Sequence, residues 1–136
     1  MTNPIASSSS RSLRPWIFDI LLVYVLIIGA YLRFNGMLWG EYQYLHPDER
    51  FLIWVGTDIE PVKNLAEYWD TANSPLNPHN RGNGYYVYGT LPMFLTRYAV
   101  EWLYHRSGFD VMTNVGRGLS ALFDLGTIFL DRKSVV

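Results

Sequence analysis

The chain has 136 residues, of which 49% are hydrophobic and 17% charged, with a formal net charge of −1 and no cysteine. This length fits one domain at most. The near-neutral balance gives no basic face for nucleic acid, and the lack of cysteine excludes disulfides, thiolate zinc sites and cysteine nucleophiles. The charged fraction lies below the roughly 25% of an average soluble domain, which favours a chain whose apolar residues are gathered into membrane spans.

The first span follows a polar tail at residues 1–15, which contains a serine run and is predicted to be disordered and cytoplasmic. Residues 16–34 are apolar on every face and carry no charge between Ile20 and Leu32. A helix of this length reaches about 28 Å, close to the hydrocarbon thickness of a bilayer. A cleaved signal peptide is the alternative, but the long apolar run and the lack of a clear cleavage site favour a transmembrane helix.

Two further apolar segments are predicted to cross the membrane. Residues 85–104 form the second, and its charged residues Arg97 and Glu101 are spaced to pair on one helix face. A soluble amphipathic helix is the alternative for this segment. Residues 115–130 form a third span that stops short, because sixteen residues are too few to cross comfortably.

Charge placement predicts the topology of a multi-pass plasma-membrane protein. Residues 1–15 carry two arginines and no acid, so the positive-inside rule places the N-terminus in the cytoplasm. Residues 35–84 form the extracytoplasmic loop, where seven acids outnumber three bases. The second span then returns, residues 105–114 form a cytoplasmic loop, and the third span runs outward again.

The extracytoplasmic loop contains signals for two short helices. Pro47 with Asp48 and Glu49 is typical of a helix start, because proline suits the first position and acids favour the first turn. A second start is predicted at Glu60–Pro61. Both helices suit the membrane surface, and residues 73–84 are predicted to be loop by their prolines, glycines and asparagines.

The run His46–Glu49 is the sharpest local constellation in the chain. One interpretation is purely structural: an acidic helix N-terminus beside a membrane helix, with His46 as a cap partner. The other is chemical: a carboxylate at the membrane–water boundary that acts as a general base or metal ligand. His46 and Asp48 offer two ligands for a divalent metal, which is a weak metal signal, and the pattern predicts no other cofactor.

Three segments together resemble a known family: HPDERF at 46–51, NSPLNPHNRGNGYYVYGTLPMFL at 73–95 and GRGLSALFDLGTIFL at 116–130. They are similar to the start of GT-C membrane glycosyltransferases, in particular family 39, which includes protein O-mannosyltransferases and the lipid A aminoarabinose transferase. The resemblance implies an all-α integral membrane fold and inverting sugar transfer from a polyprenyl-phosphate donor on the non-cytoplasmic face. It also implies that Asp48 is the catalytic carboxylate and Glu49 its support. The segment YGTLP departs from the Pro-Pro-Leu-x-Tyr pattern of the aminoarabinose branch, so the acceptor class stays open.

The donor phosphate needs cationic ligands, which arginines provide. Arg50 and Arg81 lie in the extracytoplasmic loop, and Arg97 is a third candidate if it faces a cavity. Solvation or ion pairing is the alternative for each of them. The substrate-binding candidates also include His46, and Tyr86 and Tyr88 suit either a sugar or lipid path or an interfacial aromatic anchor.

The last six residues, DRKSVV, break the third apolar segment abruptly. The codons GAT CGG AAG AGC GTC GTG encode this string and match a common sequencing adapter. We therefore expect a non-native tail at 131–136 on a truncated reading frame, with a genuine basic tail as the alternative. As a fragment of a larger transferase, the chain alone is expected to be inactive. A small non-catalytic membrane protein whose outer loop binds a partner, and a soluble helical domain, are the other function classes.

Overall fold

A computed structural model describes residues 15–131 of the chain. Five α-helices and one short 3-10 helix make up this part, and it contains no strand. The all-α prediction is therefore confirmed for residues 15–131. The predicted disordered tail up to residue 14 and the predicted non-native residues 132–136 lie outside the described residues.

Helix α1, Pro15–Phe34, contains the first predicted span. It is the only helix in the described part that is long and apolar enough to cross a membrane, and few of its side chains between Trp16 and Phe34 are buried. Apolar side chains exposed over this length need a nonaqueous surrounding, because their contact with water is unfavourable. One candidate membrane helix therefore stands at the N-terminal end of the described chain.

Helix α2, Pro47–Asp58, begins at the proline predicted to start it, with Asp48 and Glu49 in its first turn. Helix α3, Leu65–Trp69, begins later than the predicted start at Glu60–Pro61. The later start has a local cause: Asn64 caps α3 by accepting a hydrogen bond from the backbone N–H of Glu67. A 3-10 helix, Pro78–Arg81, forms one turn inside the predicted loop.

Helix α4, Thr90–Tyr104, starts five residues after the beginning of the predicted second span. Its 15 residues reach about 22 Å, less than the hydrocarbon thickness of about 30 Å. It buries Met93, Arg97 and Val100 against its neighbours. The predicted pairing of Arg97 with Glu101 is confirmed, with 2.9 Å between Nη1 and Oε2.

Helix α5, Phe109–Asp131, is the longest helix and begins six residues before the predicted third span. Its first half packs against α2 and α4 through a cluster of apolar side chains: Ile53, Val100, Val111, Met112 and Val115. A second cluster joins α2 and α4 to the intervening loop and contains Val55, Ile59, Leu76, Tyr86 and Met93. We call residues 35–118, which share these two cores, the head.

The second half of α5 packs along α1, and the two helices are antiparallel. Arg33, near the end of α1, pairs with Asp124, whereas Val23, further back in α1, shares a groove with Phe129. Between them, Gly29 approaches the side chain of Leu125 closely.

The predicted alternating topology has the first and third segments crossing in the same direction, whereas α1 and α5 pack antiparallel. Helix α4, which lies in the predicted second span, packs in the head beside α2 and α5.

Candidate functional site

A cavity of about 620 Å³ lies between the end of α1, the start of α2 and the middle of α5. Its volume falls within the range of ordinary small-ligand sites. The charged and titratable side chains that line it come from these three helices and from the adjoining residue before α2: Arg33, His46, Asp48, Glu49, Arg117 and Asp124. The structure therefore brings three of the predicted site residues, His46, Asp48 and Glu49, to one cavity.

The strongest electrostatic contact at the cavity joins Glu49 to Arg117, 68 residues apart in the chain. The guanidinium Nε and Nη2 donate to the two carboxylate oxygens at 2.6 and 2.9 Å. Both side chains are largely buried, with 15% of Arg117 and 22% of Glu49 exposed. Such a two-bond fork is stronger and more directional than a single contact between point charges.

The same arginine fixes the segment that connects α1 to α2. Residues 35–45, here called the strap, form a series of turns. Arg117 Nη1 donates to the backbone carbonyls of Met37 and Trp39, and its Cζ lies 4.7 Å from the centroid of the Trp39 ring. Arg117 thus connects α5 to both α2 and the strap.

Asp48 has a different environment from Glu49. Its Oδ1 accepts a hydrogen bond from the hydroxyl of Tyr88 at 3.1 Å, and the residue is exposed to solvent. This hydrogen bond, followed by burial and the charge of the carboxylate, raises the pKa of Tyr88 above its ordinary value. Tyr88 therefore stays protonated at neutral pH and remains a donor to Asp48. No arginine or lysine within residues 15–131 forms an ion pair with Asp48.

A second charged pair lines the cavity where α1 packs along α5. Arg33 Nε donates to Asp124 Oδ2 at 3.0 Å. Beyond this pair, an entirely apolar groove of about 450 Å³ runs between α1 and α5, lined by residues such as Leu26, Ala30 and Leu125. The cavity with its charged side chains and the apolar groove are thus neighbours along the same helix pair.

The remaining predicted site residues lie elsewhere. Arg50 is exposed on α2 and is not part of the cavity lining. Arg81 donates to the carbonyl of Asp58 and pairs with Glu60, which ties the loop to the end of α2.

Two of the predicted substrate-binding residues are buried in the head. Arg97 is 5% exposed, and its Nε donates to the carbonyl of Ile59 at 3.0 Å. Tyr86 is also buried and donates to the carbonyl of Gly89, and its pKa is raised first by burial and then by the nearby Tyr88. Both side chains thus hold the head together and do not reach the cavity.

Sequence reasoning missed Arg33, Arg117 and Asp124 as site residues. The sequence does contain a usable signal, because Asp124 is the only charge between Leu119 and Leu130, and Arg33 the only one between Ile20 and Phe34. Two isolated charges of opposite sign in apolar segments indicate a partner in each other. Among the described residues, no group of three or more histidine, aspartate or glutamate side chains is arranged to hold a metal ion.

Comparison with known proteins adds no relative: no family model, no curated protein and no solved structure matches this chain.

Proposed function

We propose that this chain is the N-terminal part of an inverting glycosyltransferase that uses a polyprenyl-phosphate-linked sugar on the non-cytoplasmic face of the membrane. One observation carries the proposal. Glu49 and Asp124 are each neutralised by an arginine, whereas Asp48 lines the same cavity with a tyrosine hydroxyl as its hydrogen-bond partner. A carboxylate without a cationic partner is the one best able to accept a proton.

In the proposed reaction, Asp48 acts as the general base. It removes the proton from an acceptor hydroxyl while that oxygen attacks the anomeric carbon of the sugar. The bond between this carbon and the phosphate oxygen breaks, and polyprenyl phosphate leaves with the electron pair. Tyr88 keeps Oδ1 of Asp48 oriented, and Oδ2 receives no hydrogen bond from the residues that the structure describes.

The position of the cavity supports a lipid-linked donor. The cavity, which contains charged side chains, lies at the end of α1, and the apolar groove continues from it between α1 and α5. A molecule with a charged head and a long apolar chain fits this arrangement, since the head then lies beside charged side chains and the chain beside apolar ones. Arg33 and Arg117 are both committed to carboxylates, so we assign the main phosphate ligands to parts of the protein beyond these residues.

We further propose that α1 crosses a cellular membrane with the N-terminus in the cytoplasm, and that the second half of α5 runs back into the membrane along α1. Because the two helices are antiparallel, the head then lies entirely on the outer side, including α4 and the connection to α5. This arrangement keeps the acidic residues 35–84 outside, in agreement with the positive-inside rule.

The test replaces the proposed base by its isosteric amide. Asp48→Asn in the full-length gene product is expected to lower sugar transfer by about 100- to 10,000-fold, the range that general bases contribute. The measurement is release of polyprenyl phosphate from polyprenyl-phosphate mannose and related sugar donors by membranes containing the protein. Asp70→Asn is the matched control, because it makes the same change at an exposed residue outside the cavity.

Full activity in Asp48→Asn would contradict the catalytic assignment. A wild-type protein that binds a partner through its head and turns over no donor would instead identify a non-catalytic membrane protein.

A further inference from the structure

We propose that Arg117 is a positioning residue of this site, which holds the first turn of α2 against the strap so that Asp48 faces the cavity. The inference rests on the proposed function, because it concerns how the catalytic carboxylate is presented. The side chain acts through Glu49, the direct neighbour of Asp48 in α2, and does not touch the sugar donor.

The contacts of Arg117 account for this role. Its guanidinium makes four hydrogen bonds, two to Glu49 and one each to the carbonyls of Met37 and Trp39. Three separate elements, α2, the strap and α5, therefore meet at a single side chain. Because Asp48 and Glu49 share the first turn of α2, an anchor on Glu49 also fixes the backbone of Asp48.

The strap needs such an anchor because its backbone is strained. Glu41, Tyr42 and Tyr44 have positive φ values of 46°, 63° and 48°. Residues with side chains adopt this left-handed region at a cost of about 1–2 kcal/mol each. Favourable contacts must offset that cost. The hydrogen bonds of Arg117 to Met37 and Trp39 hold the part of the strap that precedes these strained residues. On the α2 side, the ring of Tyr44 packs edge-on against Phe109 at 5.3 Å.

A direct role for Arg117 as a phosphate ligand makes a different prediction. Four of its five N–H groups are occupied, so an incoming phosphate could form one hydrogen bond and would gain a second only by displacing the carboxylate of Glu49 or a strap carbonyl. Lysine binds phosphate well as a point charge but lacks the planar fork. Arg117→Lys therefore preserves a phosphate ligand and destroys a positioning fork, which separates the two roles.

The first measurement does not depend on activity. Hydrogen exchange of the 136-residue chain in detergent micelles is expected to become about tenfold faster over residues 35–50 in both Arg117→Lys and Arg117→Gln. Exchange over residues 90–104 stays unchanged. Arg106→Gln is the matched control, because Arg106 forms a two-bond pair with Asp110 on the exposed α4–α5 connection. Unchanged exchange at 35–50 in both Arg117 variants would overturn the proposal.

The second measurement uses the full-length gene product with polyprenyl-phosphate mannose and related sugar donors. Both Arg117 variants are expected to lower kcat by about 100-fold and to leave KM for the donor within about twofold. Near-normal kcat in Arg117→Lys together with a raised KM in Arg117→Gln would make Arg117 a donor ligand and overturn the proposal. An inactive wild type contradicts the proposed function, whereas an active wild type with unimpaired variants contradicts the positioning role alone.

Discussion

At the scale of single residues, the two adjacent acids of the first loop differ by their partners. Glu49 is neutralised by a fork from Arg117, while Asp48 receives a hydrogen bond from Tyr88. The helix turns them towards different neighbours because consecutive residues are about 100° apart around its axis. Two adjacent residues thus provide one carboxylate held in an ion pair and one whose partner is a neutral hydroxyl, and the second is the one proposed as general base.

The tyrosine that contacts Asp48 provides a residue-scale prediction. Tyr88→Phe removes the hydroxyl but retains the ring, which packs 6.1 Å from Phe51 and 6.0 Å from Tyr86. We expect transfer to fall about five- to tenfold, which corresponds to about 1 kcal/mol for one hydrogen bond, with little change in stability. Initial rates of polyprenyl-phosphate release measure the effect. Tyr85→Phe is the control, since Tyr85 is 92% exposed, and equal rates in the two variants would contradict a role for the hydroxyl.

Local sequence signals predict the α2 end of the site well. Proline followed by two acids marks a helix start by its own chemistry, so the residue order alone puts Pro47, Asp48 and Glu49 in the first turn of α2. The partner of Glu49 cannot be found in this way, because Arg117 lies 68 residues away and no local pattern encodes so distant a contact. The same limit explains why Arg81 and Arg97 resemble phosphate ligands in the sequence although neighbouring carbonyls and acids occupy them.

At the scale of secondary-structure elements, the composition of α4 favours a membrane span because aromatic and aliphatic residues dominate it. On its buried side, however, the apolar residues of α4 pack against other parts of the head. Met93 and Val100 fill the two apolar clusters of the head, and Arg97 between them binds the carbonyl of Ile59, just beyond the end of α2. A short helix with a buried arginine that ties it to its neighbour is an element of a packed head.

Arg97 therefore carries an element-scale prediction. Arg97→Met keeps the length of the aliphatic stem but removes the donors to Ile59 and Glu101, and it leaves a buried carbonyl without its partner. We expect a loss of about 2 kcal/mol in the free energy of unfolding and a fall of about 5–10 °C in Tm. Thermal unfolding of the detergent-solubilised chain, followed by circular dichroism, measures it.

The control for Arg97 is an arginine whose ion pair is exposed. Arg106 pairs with Asp110 on the surface, where such pairs contribute little, so Arg106→Met should leave Tm nearly unchanged. An equal Tm for Arg97→Met and the wild type would show that α4 does not depend on this contact.

At the scale of the whole molecule, the direction of α5 decides on which side of the membrane each segment lies in the arrangement proposed above. Its first half belongs to the head and its second half lies along α1, with Arg33 and Asp124 paired where α1 ends. The pair neutralises two charges that would each be costly beside lipid. A continuous helix that leaves the head and then runs antiparallel to α1 needs no crossing by α4. The connection between α4 and α5 is then on the same side as the acidic loop.

This arrangement gives a topology prediction that the cysteine-free sequence makes simple to test. Single cysteines at Asp70 and Ser107, both exposed, should react with a membrane-impermeant maleimide in intact cells, whereas a cysteine at Ser8 should react only after permeabilisation. Ser107 distinguishes the two topologies. If α4 spans the membrane, Ser107 lies in the cytoplasm; if α4 does not span it, Ser107 lies outside together with Asp70. Labelling of Ser107→Cys only in permeabilised cells would restore the alternating topology. It would also require α1 and α5 to separate from the antiparallel contact made through Arg33 and Asp124.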